Sequence, residues 1–295
     1  MREAWTSCNA SGWTASSTDP ISGFAIPELP ETETIARDLD RAIAHRTITA
    51  VRVRHADVLR EVSARTLARR VTGASIVRAW RRAKLVVLDL STGDRLVVQP
   101  RFTGALLINP SDKKYVTIEF ALDDGRELVY RDVRRLGTVA LMTPKRFEAY
   151  TGALGIEPLD SAFTSDHLSQ LLSRSRQAIK KALMDQRLIA GIGNIYANEA
   201  LWRAGIDPSR EARKLTPADT ARLRDEIVGV LTAAIAARGT SFRDYRDARG
   251  ERGSFAAALQ AYGRAGRACP RCGARLVGTH AIDGRATVFC AHCQR

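Results

Sequence analysis

The sequence has few aromatic residues, few cysteines and no long uncharged apolar run. Aromatic residues make up 6% of its 295 residues, and its longest apolar stretch without a charge runs only from Ile227 to Ala237. A membrane-spanning helix needs about 20 such residues, so a membrane protein is excluded. Hydrophobic residues still reach 45%, which excludes a disordered chain. The length predicts two domains with a small third module.

Acidic residues are scarce relative to basic ones, and lysine is rarer still. Asp and Glu number 32 against 46 Lys and Arg, a formal charge of +14, and only seven of the basic residues are lysines. The planar guanidinium of arginine pairs well with phosphate oxygens. The composition therefore favours a polyanionic partner such as a nucleic acid, the alternative being a chain that is basic through codon usage alone.

Four of the five cysteines fall in the last 27 residues, as two Cys-x-x-Cys pairs with 17 residues between them: Cys269, Cys272, Cys290 and Cys293. This spacing lets four thiolates reach one tetrahedral ion and predicts a structural zinc ribbon, with strands at Ala274–Val277 and Ala286–Phe289. Two disulfides are the alternative, but the chain shows no secretory signal. Arg285 lies at the tip of the predicted hairpin, where it would suit a phosphate.

The order of sequence patterns predicts the domain organisation and an α+β fold. A leader rich in Ser, Thr, Ala and Gly is expected to be disordered, and a two-sheet β-sandwich, a helical domain and the ribbon follow it. The predicted boundaries are 1–26, 27–155, 156–262 and 263–295.

Alternating apolar residues predict the strands of the sandwich, and 3.6-residue periodicity predicts the helices. The helices expected in the first domain run from Pro30 to about His45 and from about Asp57 to Val71. The expected strands are Thr47–Val53, Lys84–Leu90, Arg95–Gln99, Ala105–Ile108, Tyr115–Phe120, Glu127–Arg131 and Thr138–Leu141. The helices of the second domain are expected at Ser165–Ser173, Arg176–Asp185, Gly193–Ala204 and Pro217–Arg238.

A Gly-Ile-Gly-Asn turn at residues 191–194 opens one of these helices. Backbone N–H groups at the positive end of a helix dipole suit a phosphate. A glycine-rich turn between packed helices is the alternative.

Several separated motifs, in this order and spacing, together resemble the formamidopyrimidine-DNA glycosylase family. They are Pro-Glu-Leu-Pro-Glu at 27–31, Arg-Arg-Ala-Lys at 81–84, Asp-Val-Arg-Arg-Leu-Gly at 132–137, the helical segment at 178–186, Gly-Ile-Gly-Asn-Ile-Tyr-Ala-Asn-Glu at 191–199, Tyr-Gly-Arg at 262–264 and the four cysteines. The resemblance implies a bacterial cytoplasmic monomer that excises oxidised purines from double-stranded DNA and then cleaves the abasic strand by β,δ-elimination. It also implies one structural Zn²⁺.

The resemblance assigns a role to each catalytic residue. It implies that Pro27 attacks C1′ of the deoxyribose through its secondary amine and that Glu28 is the general acid/base. Glu31 would support the proline end of the helix. Lys84 and Arg285 would hold phosphates beside the lesion.

The resemblance also implies the DNA-binding residues. Asn194 matches a phosphate contact, and Arg243 and Tyr262 match a lesion-recognition loop and its base. The side chains that fill the gap left by the extruded base match Phe102, Arg135 and Leu136, where the family has Met, Arg and Phe. Ordinary strand-core positions for Phe102 and Leu136 are the alternative.

One departure bears on the chemistry, because 26 residues precede Pro27. A proline nitrogen within a peptide bond is an amide and cannot form a Schiff base. Three accounts follow: translation starts at codon 26 and its methionine is removed, the leader is cleaved off, or the protein binds damaged DNA without lyase chemistry. The presence of Glu28 and Lys84 favours the first account, because a protein without catalysis has no need for this acid beside that nitrogen. A preference for oxidised pyrimidines, as in the endonuclease VIII branch, is a further alternative.

Overall fold

The computed structural model describes residues 27–295, so the predicted disordered leader at 1–26 lies outside the described residues. Two lobes and a small hairpin module follow one another along the chain. The first lobe has the helices α1 (Leu29–Ile43), α2 (Ala64–Val71) and α3 (Pro144–Thr151). Its strands are β1 (Ile48–Val53), β2 (Leu59–Arg60), β3 (Ile76–Arg82), β4 (Leu85–Leu90), β5 (Arg95–Gln99), β6 (Gly104–Ile108), β7 (Val116–Leu122), β8 (Glu127–Asp132) and β9 (Thr138–Met142).

These strands form two sheets that enclose the core of the first lobe. One sheet has the order β1-β7-β8-β6 and the other β2-β9-β5-β4-β3. Neighbours are antiparallel except for β2 and β9, which are parallel. Alternate strand residues such as Val86, Leu96, Ile118 and Leu128 point into one shared core, in which α1 and α2 also pack. The predicted two-sheet sandwich is confirmed.

Helix α1 belongs to both lobes. Its first turn is fixed by Pro30 and by the Glu31 carboxylate, which accepts the Glu28 N–H at 2.8 Å. Leu29 at this end packs into the core of the second lobe, whereas Ile35 and Leu39 pack into the sandwich. The helix therefore ties the start of the described chain to both cores.

The second lobe is helical. It comprises α4 (Ser165–Leu172), α5 (Ile179–Met184), α6 (Asn194–Ala204) and α7 (Pro217–Ala236). Thr164 and Thr216 cap α4 and α7 by accepting backbone N–H groups of the first turn. The core lies between α6 and α7 and includes Leu201, Leu223 and Ile227. No helix between residues 27 and 295 is long and apolar enough to cross a membrane.

The C-terminal module is a two-stranded hairpin of β10 (Val277–Thr279) and β11 (Thr287–Phe289). Its small apolar core is continuous with α6, because Trp202 packs beside Leu276 and Val288. The Arg271 guanidinium lies 4.8 Å from the centre of the Trp202 ring. The module is thus seated on the helical lobe.

Several predicted elements differ from the observed ones. Lys84, predicted to begin a strand, lies in the tight turn between β3 and β4. The helix predicted from Asp57 to Val71 is a short 3₁₀ turn and β2 before α2, since residues 59–60 pair with β9. The helix predicted at Arg176–Asp185 starts only at Ile179, because Ala178 bridges to Glu211. Strand β3 and helix α3 were not predicted.

Candidate active site and nucleic-acid interface

The Glu28 side chain sits at the amino end of α6. Its carboxylate accepts the backbone N–H of Gly193 at 2.8 Å and that of Ile195 at 2.9 Å, and the residue is 3% exposed. The Leu29 N–H donates to the Gly191 carbonyl at 3.0 Å next to it. Two N–H groups at this helix end, for which the sequence left a phosphate or simple helix packing open, are therefore used by a carboxylate from the first lobe.

Gly193 has no room for a side chain. A Cβ there would lie 2.4 Å from Cδ of Glu28 and 2.7 Å from Nζ of Lys84. The glycine is needed because the backbone, the carboxylate and the ammonium all meet at this point. Three segments distant in sequence thus converge at Glu28, the residue after Pro27, and Pro27 is itself buried.

The turn that carries Lys84 is held from the other lobe by Glu157. The Glu157 carboxylate accepts Nη1 of Arg81 at 2.6 Å, Nη1 of Arg82 at 2.7 Å and the N–H of Ala83 at 2.7 Å. Ala83 has a φ of 53°, which is unfavourable for a residue with a Cβ. Because Glu157 bonds this backbone directly, it stabilises the strained turn and fixes Lys84.

Burial and mutual attraction act in opposite directions on Glu28 and Lys84. Burial raises the pKa of Glu28, and the Lys84 charge and the backbone N–H groups at α6 partly offset that rise. Burial lowers the pKa of Lys84, Glu28 opposes the shift, and the charge of Arg285 adds to it. A buried carboxyl group whose pKa is raised, beside a buried ammonium group, suits general acid/base chemistry.

Glu31 forms the second buried carboxyl group of the site. Its Oε1 accepts the Tyr196 hydroxyl at 2.5 Å and the Thr240 N–H at 2.7 Å, while Oε2 accepts the Glu28 N–H. Burial first, and the Glu28 charge second, raise the pKa of Glu31 to about 7, and the three donors oppose the shift. Glu31 thereby fixes the backbone next to Pro27.

The tip of the C-terminal hairpin is locked onto the helical lobe near this cluster. Fully buried Lys180 donates to the Ala286 carbonyl at 3.0 Å and to the Thr287 hydroxyl at 2.8 Å. Asn198 accepts the Val288 N–H at 2.8 Å. These bonds hold half-buried Arg285, whose charge is felt at both Lys84 and Lys180.

Asn194 and Tyr262 also belong to this cluster. Tyr262 lies beside the Asn194 side chain, and burial and the charge of Glu28 raise the pKa of its hydroxyl. Buried Glu199 accepts the backbone N–H of Tyr262 at 2.8 Å and so holds its segment against α6. The Phe242 ring lies 5.6 Å from that of Tyr262, and Arg243 follows it on an exposed part of the same loop.

The loops that carry Phe102 and Leu136 lie side by side on the first lobe. Asp132, 1% exposed, accepts the Thr103 hydroxyl at 2.5 Å through one oxygen and the Gly137 N–H at 2.8 Å through the other. Leu136 is 39% exposed and Phe102 is half-buried, and neither belongs to a core of the described residues. The strand-core alternative for these two residues is thereby removed.

The two arginines of the second loop point to different partners. The Arg134 guanidinium lies 5.2 Å from the centre of the Phe102 ring. Arg135, with a φ of 52°, places Nη1 3.2 Å from Oδ2 of Asp57 and 3.2 Å from Nδ1 of His55. The structure thus brings Arg134, which sequence reasoning missed, rather than Arg135 to Phe102.

The four C-terminal cysteines form a compact group. Their sulfur atoms all lie within 4.8 Å of one another, a separation that suits four ligands of one tetrahedral metal ion. The two Cys-x-x-Cys pairs therefore could hold a metal ion, as their spacing predicted.

Other residues that build the site carried no local signal. Glu157 is an isolated acid in a connecting segment, and its partners lie on the β3–β4 hairpin. Tyr196, Asp132 and Lys180 lie within the quoted motifs, but only the folded chain reveals their contacts.

The elevated pKa of Glu31 predicts a pH-dependent stability. Between the unfolded value of 4.5 and the folded value of about 7, the folded state binds more protons than the unfolded state, so the free energy of unfolding falls as pH rises. In Glu31→Gln this fall should be smaller by up to about 1.4 kcal/mol per pH unit. Urea unfolding of both proteins across that window measures it, and parallel stability curves would contradict it.

Comparison with known proteins agrees with this geometry. The family model described as formamidopyrimidine-DNA glycosylase N-terminal domain matches residues 26–139, and the one described as its H2TH domain matches residues 154–246. A curated formamidopyrimidine-DNA glycosylase of Desulforamulus reducens is 37% identical, and the match covers 92% of this chain and 99% of the relative.

Solved structures agree as well. Wild-type Lactococcus lactis Fpg in complex with N7-benzyl-Fapy-dG DNA has a TM-score of 0.84 at 31% identity, covering 91% of this chain and 100% of that one. Lactococcus lactis Fpg with DNA that contains an abasic site gives a TM-score of 0.84 at 31% identity, covering 91% and 99%. On this evidence the chain belongs to the formamidopyrimidine-DNA glycosylase family.

Proposed function

We propose that this chain is a base-excision-repair DNA glycosylase and abasic-site lyase that removes oxidised purines, with Pro27 as the nucleophile. The observation that carries the proposal is the convergence of Glu28, Lys84 and Gly193 beside Pro27. The relatives solved with Fapy-dG DNA and with abasic DNA support the substrate class. The partner is double-stranded damaged DNA, on which the protein acts as a monomer in the bacterial cytoplasm.

The proposed chemistry begins at the Pro27 nitrogen. As a free secondary amine it attacks C1′, and the electrons of the glycosidic bond leave with the base, which takes up a proton. Glu28 in its protonated form supplies a proton to the sugar ring oxygen and then, as a carboxylate, accepts protons during elimination. The attacking nitrogen loses its proton and the C1′–O4′ bond breaks, with O4′ taking the proton from Glu28, which leaves an iminium ion between Pro27 and C1′. Loss of a proton from C2′ then expels the 3′ phosphate, and loss of a proton from C4′ of the conjugated iminium ion expels the 5′ phosphate.

Positive side chains near this point suit the flanking phosphates. Lys84 belongs to the sandwich and Arg285 to the ribbon, and the two are close enough for their charges to interact. Asn194 adds a side-chain amide from α6. We assign these three residues to phosphate contacts and Arg243 and Tyr262 to the everted base. Phe102 and Leu136, with Arg134 beside Phe102 and Arg135 on the same loop, fill the gap left in the duplex.

Four sulfurs in tetrahedral range suit one structural Zn²⁺, which would be held by Cys269, Cys272, Cys290 and Cys293. The metal supplies folding energy that so small a hairpin lacks. Its part in the reaction is indirect, because the hairpin presents Arg285 to the site.

The active form must begin at Pro27, since the bond from Ile26 makes its nitrogen an amide. On duplex DNA with 8-oxoguanine opposite cytosine, protein that starts at Pro27 should release the base at least about a hundredfold faster than residues 1–295. Mass spectrometry of the released base and of both intact proteins measures this. Equal release would mean that the amine is not needed.

The same experiment separates the alternatives. Binding of lesion DNA by both forms, with no release of any oxidised base by either, would identify a damage-binding protein. Release of oxidised pyrimidines in preference to purines would identify an endonuclease VIII-like specificity.

Glu28→Gln in the form that starts at Pro27 tests the acid/base role. We expect DNA affinity to stay within about threefold and base release to fall by about a hundredfold or more, the range of general acid/base catalysis. Exposed Glu148 on α3 offers the matched control, Glu148→Gln, which should retain full activity. Wild-type turnover in Glu28→Gln would sink the assignment.

Removal of the metal should weaken DNA binding without unfolding the two lobes, because neither large core includes the ribbon. We expect a strong zinc chelator to reduce affinity by about tenfold or more and added Zn²⁺ to restore it. Metal analysis and fluorescence anisotropy on lesion DNA measure the two quantities. Unchanged affinity after proven metal loss would contradict the role given to Arg285.

A further inference from the structure

Residues 240–254, here called the return loop, leave α7 and touch both lobes. Tyr245 and Ala248 pack into the core of the sandwich, and the Ala248 carbonyl accepts the Ile108 N–H of β6 at 2.9 Å. At the start of the loop, Thr240 donates its N–H to Glu31, and the Phe242 ring lies against Tyr262. The return loop therefore begins within the candidate active site.

A buried ionic cluster fixes the far part of this loop. Nε of Arg238 donates to Oδ2 of Asp247 at 2.8 Å, and Nη2 donates to Oδ2 of Asp38 at 2.5 Å and also to Asp247. Asp38 is 2% exposed and Asp247 is fully buried. We call Asp38, Arg238 and Asp247 the Arg238 clasp.

The clasp depends on the positive charge of the Arg238 guanidinium, which lies between two carboxylates. Burial lowers the pKa of Arg238, but the two carboxylates outweigh it and the net pKa rises. Asp247 also accepts the N–H groups of Arg249 and Glu251, whereas Oδ1 of Asp38 has no hydrogen-bond donor among the described residues. Without Arg238, two buried carboxylates would face each other with the Arg249 guanidinium 3.8 Å from Oδ1 of Asp38, and the loss of the charge between them is strongly unfavourable.

Asp38 lies on α1, the helix that starts next to Pro27 and Glu28. Thr240 binds Glu31 on the same helix. The return loop is thus attached at two points to the helix that carries the proposed nucleophile. A loop held in this way keeps a fixed position relative to the reacting atoms.

We infer that the Arg238 clasp is a positioning element that holds the return loop beside the site in the arrangement that base excision requires. This inference rests on the proposed glycosylase function. The adjacent aromatic rings of Phe242 and Tyr262, with exposed Arg243 beside them, suit contact with a planar base that has left the duplex. An abasic site has no such base, so cleavage of the strand at an abasic site does not require contacts with these two rings.

The test uses Arg238→Gln in protein that starts at Pro27 and two duplexes, one with a formamidopyrimidine lesion and one with a preformed abasic site. We expect kcat/KM for base excision to fall by about tenfold or more and abasic-strand cleavage to stay within about twofold. Arg238→Lys, which keeps the positive charge but loses the planar guanidinium and its several N–H donors, should recover part of the excision rate. Asp247→Asn should give the same selective loss with a milder effect on folding.

Arg70→Gln is the matched control. It removes a similar pair, Arg70 with buried Asp94 at 2.5 Å, from the sandwich and away from the return loop. It should lower stability without changing the ratio of the two activities.

Limited trypsin digestion measures how readily the return loop opens, because this loop contains Arg243, Arg246, Arg249 and Arg252 as cleavage sites. Cleavage there should be about fivefold faster in Arg238→Gln than in Arg70→Gln. Equal cleavage, or equal losses on both DNA substrates, would overturn the inference. If the unaltered protein that starts at Pro27 cleaves neither duplex, the proposed function fails, and the digestion still decides whether the clasp holds the loop.

Discussion

The bond between Glu28 and the amino end of α6 is the contact on which the rest of the site depends. It brings a carboxylate from the sandwich to two N–H groups of the helical lobe, at 2.8 and 2.9 Å. The helix dipole and these donors stabilise the charged form in a place where burial disfavours it. Because Glu28 follows Pro27 directly, this bond also fixes where the proposed nucleophile lies.

The other parts of the site support this contact from separate directions. Glu31 holds the Glu28 backbone, Glu157 holds the turn of Lys84, and Lys180 holds the ribbon that presents Arg285. Each support is a buried or half-buried ionic group that bonds to backbone atoms of a neighbouring segment. Such contacts fix position better than they add stability, since desolvation offsets most of their gain.

The sequence predicted the fold class, the four-cysteine group and most elements, because periodicity and spacing are local properties. It did not predict Lys84 in a turn, since the φ of Ala83 is maintained by Glu157 from the other lobe. It left the N–H groups of the glycine turn open to a phosphate or to helix packing, because nothing local shows that Glu28 accepts them. The same limit applies to Arg134, whose stacking on Phe102 requires Asp132 to join two loops.

The proposed reaction requires covalent chemistry at the Pro27 nitrogen, which borohydride trapping on duplex DNA with 8-oxoguanine tests most directly. The trapped protein is digested and the residue that carries the DNA remnant is found by mass spectrometry. We expect the adduct on Pro27 in protein that starts there and no adduct in residues 1–295. An adduct on a lysine, or equal trapping of both proteins, would contradict it.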